Sequence, residues 1–145
     1  MSLNKISRQL EENHFFLRIN EIKDYSIEEI VQAAICGGIR NIEINIKYPK
    51  ALEIIKNLSN MFEERSDIVI GVSGVYDAAN VRMAFMNGAK YISNFNFSVQ
   101  VAKSCDSFNL VYLSNTSYLK EILYSEKYGF KVLCPNLRNL KYYDC

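Results

Sequence analysis

Apolar residues recur along this chain in two alternating rhythms, one helical and one of strand type. A polar helix over about Asn4 to Asn13 precedes a short apolar run, Phe15-Phe16-Leu17-Arg18-Ile19. Ser26 and Glu29 have the spacing of a capping box, and Ile27, Ile30, Val31, Ala34 and Ile35 then follow at one-face helical spacing until Gly37-Gly38. A strand over Arg40 to Ile46 leads through Pro49 into a helix that would bury Ala51, Ile54, Ile55, Leu58 and Phe62. Ile68 to Val72 is apolar throughout, as a parallel strand covered on both faces should be. Asp77 is placed to cap a helix carrying Val81, Ala84 and Phe85, which Asn87-Gly88 ends. Strands at Tyr91 to Phe95, Leu110 to Leu113 and Phe130 to Cys134 alternate with helices at about Ser98 to Cys105 and Thr116 to Glu126. Six strands alternating with helices predict βαβ units, a parallel sheet and one domain over residues 1–145.

An internal repeat narrows the α/β class. Gly38-Ile39-Arg40-Asn41-Ile42-Glu43 and Gly88-Ala89-Lys90-Tyr91-Ile92-Ser93 each set a helix-ending Gly two residues before a basic residue that enters a strand. Gly129-Phe130-Lys131-Val132-Leu133-Cys134 is a looser third copy. Such repetition suits a (β/α) barrel of the TIM type, in which each unit meets the same environment. An eight-stranded barrel needs at least ~200 residues. The expectation is therefore an incomplete barrel lacking the last two βα units, with unpaired sheet edges and an uncovered lumen that favour a homo-oligomer.

Composition changes this picture little. Half the chain is hydrophobic (49%), with only six Gly and two Pro, so it is long and apolar enough to bury a core. Seventeen basic against sixteen acidic residues leave a formal charge of +1, which does not suggest a nucleic-acid binder. No apolar run approaches the ~20 residues of a membrane span, and Met1 to Asn13 is too polar for a signal peptide. A soluble, cytoplasmic protein is expected. Cys36, Cys105, Cys134 and Cys145 are scattered, and the single histidine, His14, has no partner nearby in sequence. Neither a metal site nor a histidine-based nucleophile is implied, and the cysteines read as buried thiols, with Cys145 at the C-terminus open to exposure.

The second strand carries the candidate chemistry. Ile42, Ile44 and Ile46 alternate with Glu43, Asn45 and Lys47, so one face is aliphatic and the other bears a carboxylate, an amide and an ammonium. An edge strand with a solvated face would explain that row. In a parallel sheet covered on both sides, a charged row instead marks a barrel lumen or a site mouth. There a carboxylate is poised for proton transfer beside a cation that can hold an anion.

The segment Gly38-Ile39-Arg40-Asn41-Ile42-Glu43-Ile44-Asn45-Ile46-Lys47 closely resembles the active-site segment of the 2-keto-3-deoxy-6-phosphogluconate (KDPG) / 4-hydroxy-2-oxoglutarate (KHG) aldolases. Ala33 to Gly38 is similar to the preceding helix of that family, Pro49 to Ile55 to the following one, and Ile70-Gly71-Val72-Ser73-Gly74-Val75 to its Gly-Ala-Gly-Thr-Val turn. The resemblance implies a class I aldolase. Such an enzyme cleaves a 2-keto-4-hydroxy acid to pyruvate and an aldehyde through a lysine Schiff base, without metal or organic cofactor. Glu43 falls on the proton-transferring glutamate, Lys47 stands where an arginine binds the anionic end, and Asn45 replaces a threonine. The family's sixth strand reads Lys, two hydrophobic residues, Pro. Counting back from Pro135 places Val132 in the lysine's position; a one-residue shift with a bulge brings in Lys131, the candidate imine-forming residue. The alternative implied by Val132 is a catalytically inactive module that binds a small acid or a protein partner. An open doubly wound sheet of flavodoxin type is a third possibility, but no Gly-rich phosphate loop accompanies it.

Overall fold

The computed structural model describes residues 3–22 and 25–114, together with Leu123, Ser125 and Lys127. In chain order the elements are α1 (Leu3–Glu12), β1 (Phe16–Ile19), α2 (Ile27–Cys36), β2 (Asn41–Asn45), α3 (Ala51–Met61), β3 (Val69–Ser73), α4 (Ala78–Met86), β4 (Tyr91–Asn94), α5 (Val99–Ser107) and β5 (Val111–Ser114). The five strands lie side by side in sequence order, every neighbouring pair parallel. They form an open, unclosed sheet with β1 and β5 at its edges among the described residues. The expected sixth strand, Gly129 with its repeat copy, and the helix over 116–126 apart from Leu123 and Ser125 lie outside the described residues.

Local chemistry explains the punctuation. Ser26 accepts from the Glu29 amide at 3.1 Å while Glu29 reaches back to the Ser26 amide, the full capping box. Asp77 caps α4 through the Asn80 amide at 2.7 Å. The repeat is a repeated helix stop. Gly38 and Gly88 take left-handed φ values of 96° and 92°, and Ile39 and Ala89 each donate back to the carbonyls of Ala34 and Ala84. Asn109, at φ 53°, plays the same part after α5, where Leu110 donates to Cys105. Asparagine tolerates this conformation better than other residues with a Cβ.

The alternation of β2 sorts side chains into two cores. Ile42 and Ile44 join Ile70, Val72 and Ile92 against Val31, Ile55, Leu58, Val81 and Val101 of the covering helices. The opposite face holds Val69, Tyr91, Val111 and Leu113, with Phe16 packed alongside. Helix α1 lays Ile6 and Leu10 onto this second cluster. That corrects the expectation of an uncovered lumen, since a helix read only as polar places two apolar residues four positions apart on one face. Cys105 is buried, but Cys36 at the end of α2 is exposed, against the expectation of buried thiols. No helix among the described residues is long and apolar enough to cross a membrane.

Candidate active site

Parallel register stacks the inward-facing side chains in layers. Arg18, Glu43, Gly71, Tyr91 and Val111 are successive partners across the five strands and make the middle layer. Asn45, Ser73, Ser93 and Leu113 make the layer above it, toward the carboxyl ends of the strands. In barrels of this kind that end carries the chemistry.

Glu43 is the buried charge of this lumen, 1% exposed in the centre of an internal strand. The solvated-edge reading of β2 therefore does not hold. Arg18 Nε donates to Glu43 Oε1, and Arg18 Nη2 donates to Ser93 Oγ at 3.1 Å. The guanidinium also sits 4.8 Å from the centre of the Phe95 ring, a cation–π contact that holds it at the site mouth. Burial pushes the Glu43 carboxyl above its ordinary range, and the Arg18 charge draws it only partly back. Glu43 Oε2, the Tyr91 hydroxyl and Ser73 Oγ are buried, and none has a hydrogen-bond partner of good geometry among the described residues. Buried polar atoms are costly unless they are satisfied, so these three mark the polar part of the lumen.

Asn45 stands at the mouth with both ends of its amide engaged. Its Oδ1 accepts from the Lys47 amide at 2.9 Å, and its Nδ2 donates to Asn20 Oδ1 at 3.0 Å. It thereby ties the ends of β1 and β2 together. Gly74 passes close by at φ 73°, where an added Cβ would come within 3.3 Å of Asn45 Oδ1. Lys47 is exposed just beyond β2, where an ammonium can meet an anion arriving from solvent. Lys131 and Val132 lie outside the described residues.

Two participants escape sequence reasoning. Arg18 sits in what reads as an apolar run, and its partner is 25 positions away. Its alternation with Leu17 and Ile19, set beside the parity of Glu43, is the signal that could have found it. Tyr91 was legible only as a strand residue in the repeat. A cavity of about 500 Å³ lined by Lys5, Ser59, Arg65, Gly88 and Lys90, among others, does not include Glu43, Asn45 or Lys47.

Parallel strands in sequence order, each joined to the next through a helix, with a polar constellation on the inward face, define part of a (β/α) barrel. The model of the KDPG and KHG aldolase family matches residues 6–135, and the chain belongs to that family. Among solved structures, the fold is similar to a 4-hydroxy-2-oxoglutarate/KDPG aldolase from TTHB1, with TM-score 0.72 and 18% identity over 85% of this chain. It is also similar to the KDPG aldolase of Zymomonas mobilis ZM4 with 3-phosphoglycerate, with TM-score 0.72 and 19% identity over 89% of this chain. A third is the KDPG aldolase of Legionella pneumophila, with pyruvate captured as a covalent carbinolamine intermediate; here TM-score is 0.68 and identity 18% over 79% of this chain. The chain spans 59%, 60% and 55% of the length of these three, respectively. No curated protein matches the chain.

Proposed function

We propose that this chain works as a class I aldolase on a 2-keto-4-hydroxy acid, releasing pyruvate and an aldehyde. The observation that carries the reading is Glu43, a carboxyl buried in the lumen and fixed through Oε1 by Arg18. Burial holds this carboxyl above its ordinary pKa, which favours a group that takes a proton and returns it. Lys131 attacks the substrate ketone, and loss of water gives the imine. Glu43 removes the proton of the C4 hydroxyl; the C3–C4 bond breaks, the aldehyde leaves, and its electron pair becomes the enamine. The protonated Glu43 then delivers its proton to C3, and water hydrolyses the imine to free pyruvate and Lys131. Lys47 holds the anionic end of the substrate, and Asn45 fixes the loop that presents it. No metal or organic cofactor is assigned a step, because the imine supplies the electron sink.

The test is pyruvate release from a 2-keto-4-hydroxy acid, followed with a coupled reductase, in the wild type and Glu43→Gln. The expected result is turnover in the wild type and a fall of ~10²–10⁴-fold in the variant. No turnover by folded wild-type protein would instead support the inactive acid-binding module that Val132 suggests.

A further inference from the structure

We propose that Tyr91 is a positioning residue for Glu43, its buried hydroxyl reaching across β3 to donate to Oε2 on the side opposite Arg18. The inference rests on Glu43 as the proton-transferring group and adds what fixes its second oxygen. Geometry carries it. Glu43, Gly71 and Tyr91 are successive partners in one layer, so only residue 71 separates the carboxyl from the tyrosine. Residue 71 has no side chain. A Cβ built there would lie 2.3 Å from both Cε1 and Cζ of Tyr91, so the hydroxyl-bearing end of the ring rests over the β3 backbone. From Tyr91 on β4, that direction leads toward β2 and Glu43.

The two unpaired atoms are complementary. Tyr91 is fully buried and Glu43 is 1% exposed, and among the described residues neither the Tyr91 hydroxyl nor Glu43 Oε2 has another partner of good geometry. Of the other groups facing Glu43, Ser93 also reaches the carboxyl from the layer above; the rest do not compete for the position. Arg18 is committed to Oε1 and Ser93; β5 contributes Val111 and Leu113; α1 contributes Ile6 and Leu10. Ser73 lies one layer higher. Among the described residues, the titratable groups facing Glu43 are thus Arg18 from β1 and Tyr91 from β4. Burial, and then the neighbouring carboxylate, hold the phenol well above its ordinary pKa, so it stays a donor throughout the working range. Each carboxylate oxygen offers two lone-pair directions, so Oε2 can accept from Tyr91 and still exchange a proton with a substrate.

The experiment titrates Glu43 without substrate, by ¹³C NMR of δ-labelled glutamate, with Glu43→Gln identifying the signal. Because no turnover is read, its failure is separable from failure of the aldolase reading. A donor to the ionised form lowers a carboxyl pKa, so Tyr91→Phe should move the Glu43 midpoint upward, by about one pH unit. An unchanged or lowered midpoint in folded Tyr91→Phe overturns the proposal. A second measurement needs no variant of Tyr91: its ζ-carbon in wild-type protein should titrate with the Glu43 midpoint. A ζ-carbon shift that is flat through that midpoint also overturns it.

Discussion

Replacing Arg18 by methionine removes the charge that faces Glu43 while keeping an unbranched stem to pack on Phe95. Its effect should depend on pH, with a sign set by Glu43. The folded pKa of Glu43 is already raised by burial, and loss of the guanidinium, which draws it down, raises it further. A carboxyl raised on folding contributes stability that is complete below its unfolded value, near pH ~4, and is lost as pH climbs through the folded value. In Arg18→Met that loss extends to higher pH than in wild type. Near pH 4, where Glu43 is protonated, the variant lacks the hydrogen bonds to Glu43 and Ser93 and the ring contact but buries no unpaired charge, a cost of about 1–2 kcal/mol. At pH 8 it must keep an unpaired buried carboxylate or protonate it far from solution equilibrium. Leaving one partner of a buried pair alone costs ~3–5 kcal/mol. Because Arg18 is 27% exposed and wild type already bears part of the strain, about 3 kcal/mol is expected. In a chain of this size that is a fall in Tm of ~10 °C. Urea or thermal unfolding of both proteins from pH 4 to pH 8 reads the difference. Arg18→Met/Glu43→Gln should lose most of the pH dependence. A destabilisation that is flat across pH, or larger at pH 4, would refute the reasoning.

Two further outcomes follow from the packing. Gly71→Ala drives a methyl into the Tyr91 ring and should cost ~1–3 kcal/mol in denaturant unfolding, whereas a neutral result would show that the ring does not lie over β3. The sheet edges at β1 and β5 among the described residues, with Phe15 and Tyr76 exposed, predict self-association, so light scattering at micromolar concentration should give a mass above 16.7 kDa; a monodisperse monomer would contradict this.

Much of the frame was legible because it is written locally. Ser26 with Glu29, Asp77, and the glycines at 38 and 88 act over three to five residues, and each does what its spacing implies. The alternation of Ile42 and Ile44 with Glu43 also survives intact, since the pleat fixes opposite faces without reference to any other strand. What the chain does not display is register. Arg18 and Glu43 meet only because Phe16 pairs with Asn41, and Tyr91 approaches Glu43 only because a glycine stands between them. Those facts belong to the sheet rather than to any segment. Asn45 is the intermediate case: its place at the mouth followed from parity, while its bracing of Asn20 and Lys47 depended on how the strand ends came together.

The measurement that bears most directly on the central claim is borohydride trapping with pyruvate, read by intact-mass and peptide mass spectrometry. The account predicts one reduced pyruvate adduct, on Lys131, in wild-type protein and its absence in Lys131→Ala. No adduct on folded protein, or an adduct confined to another lysine, would contradict it.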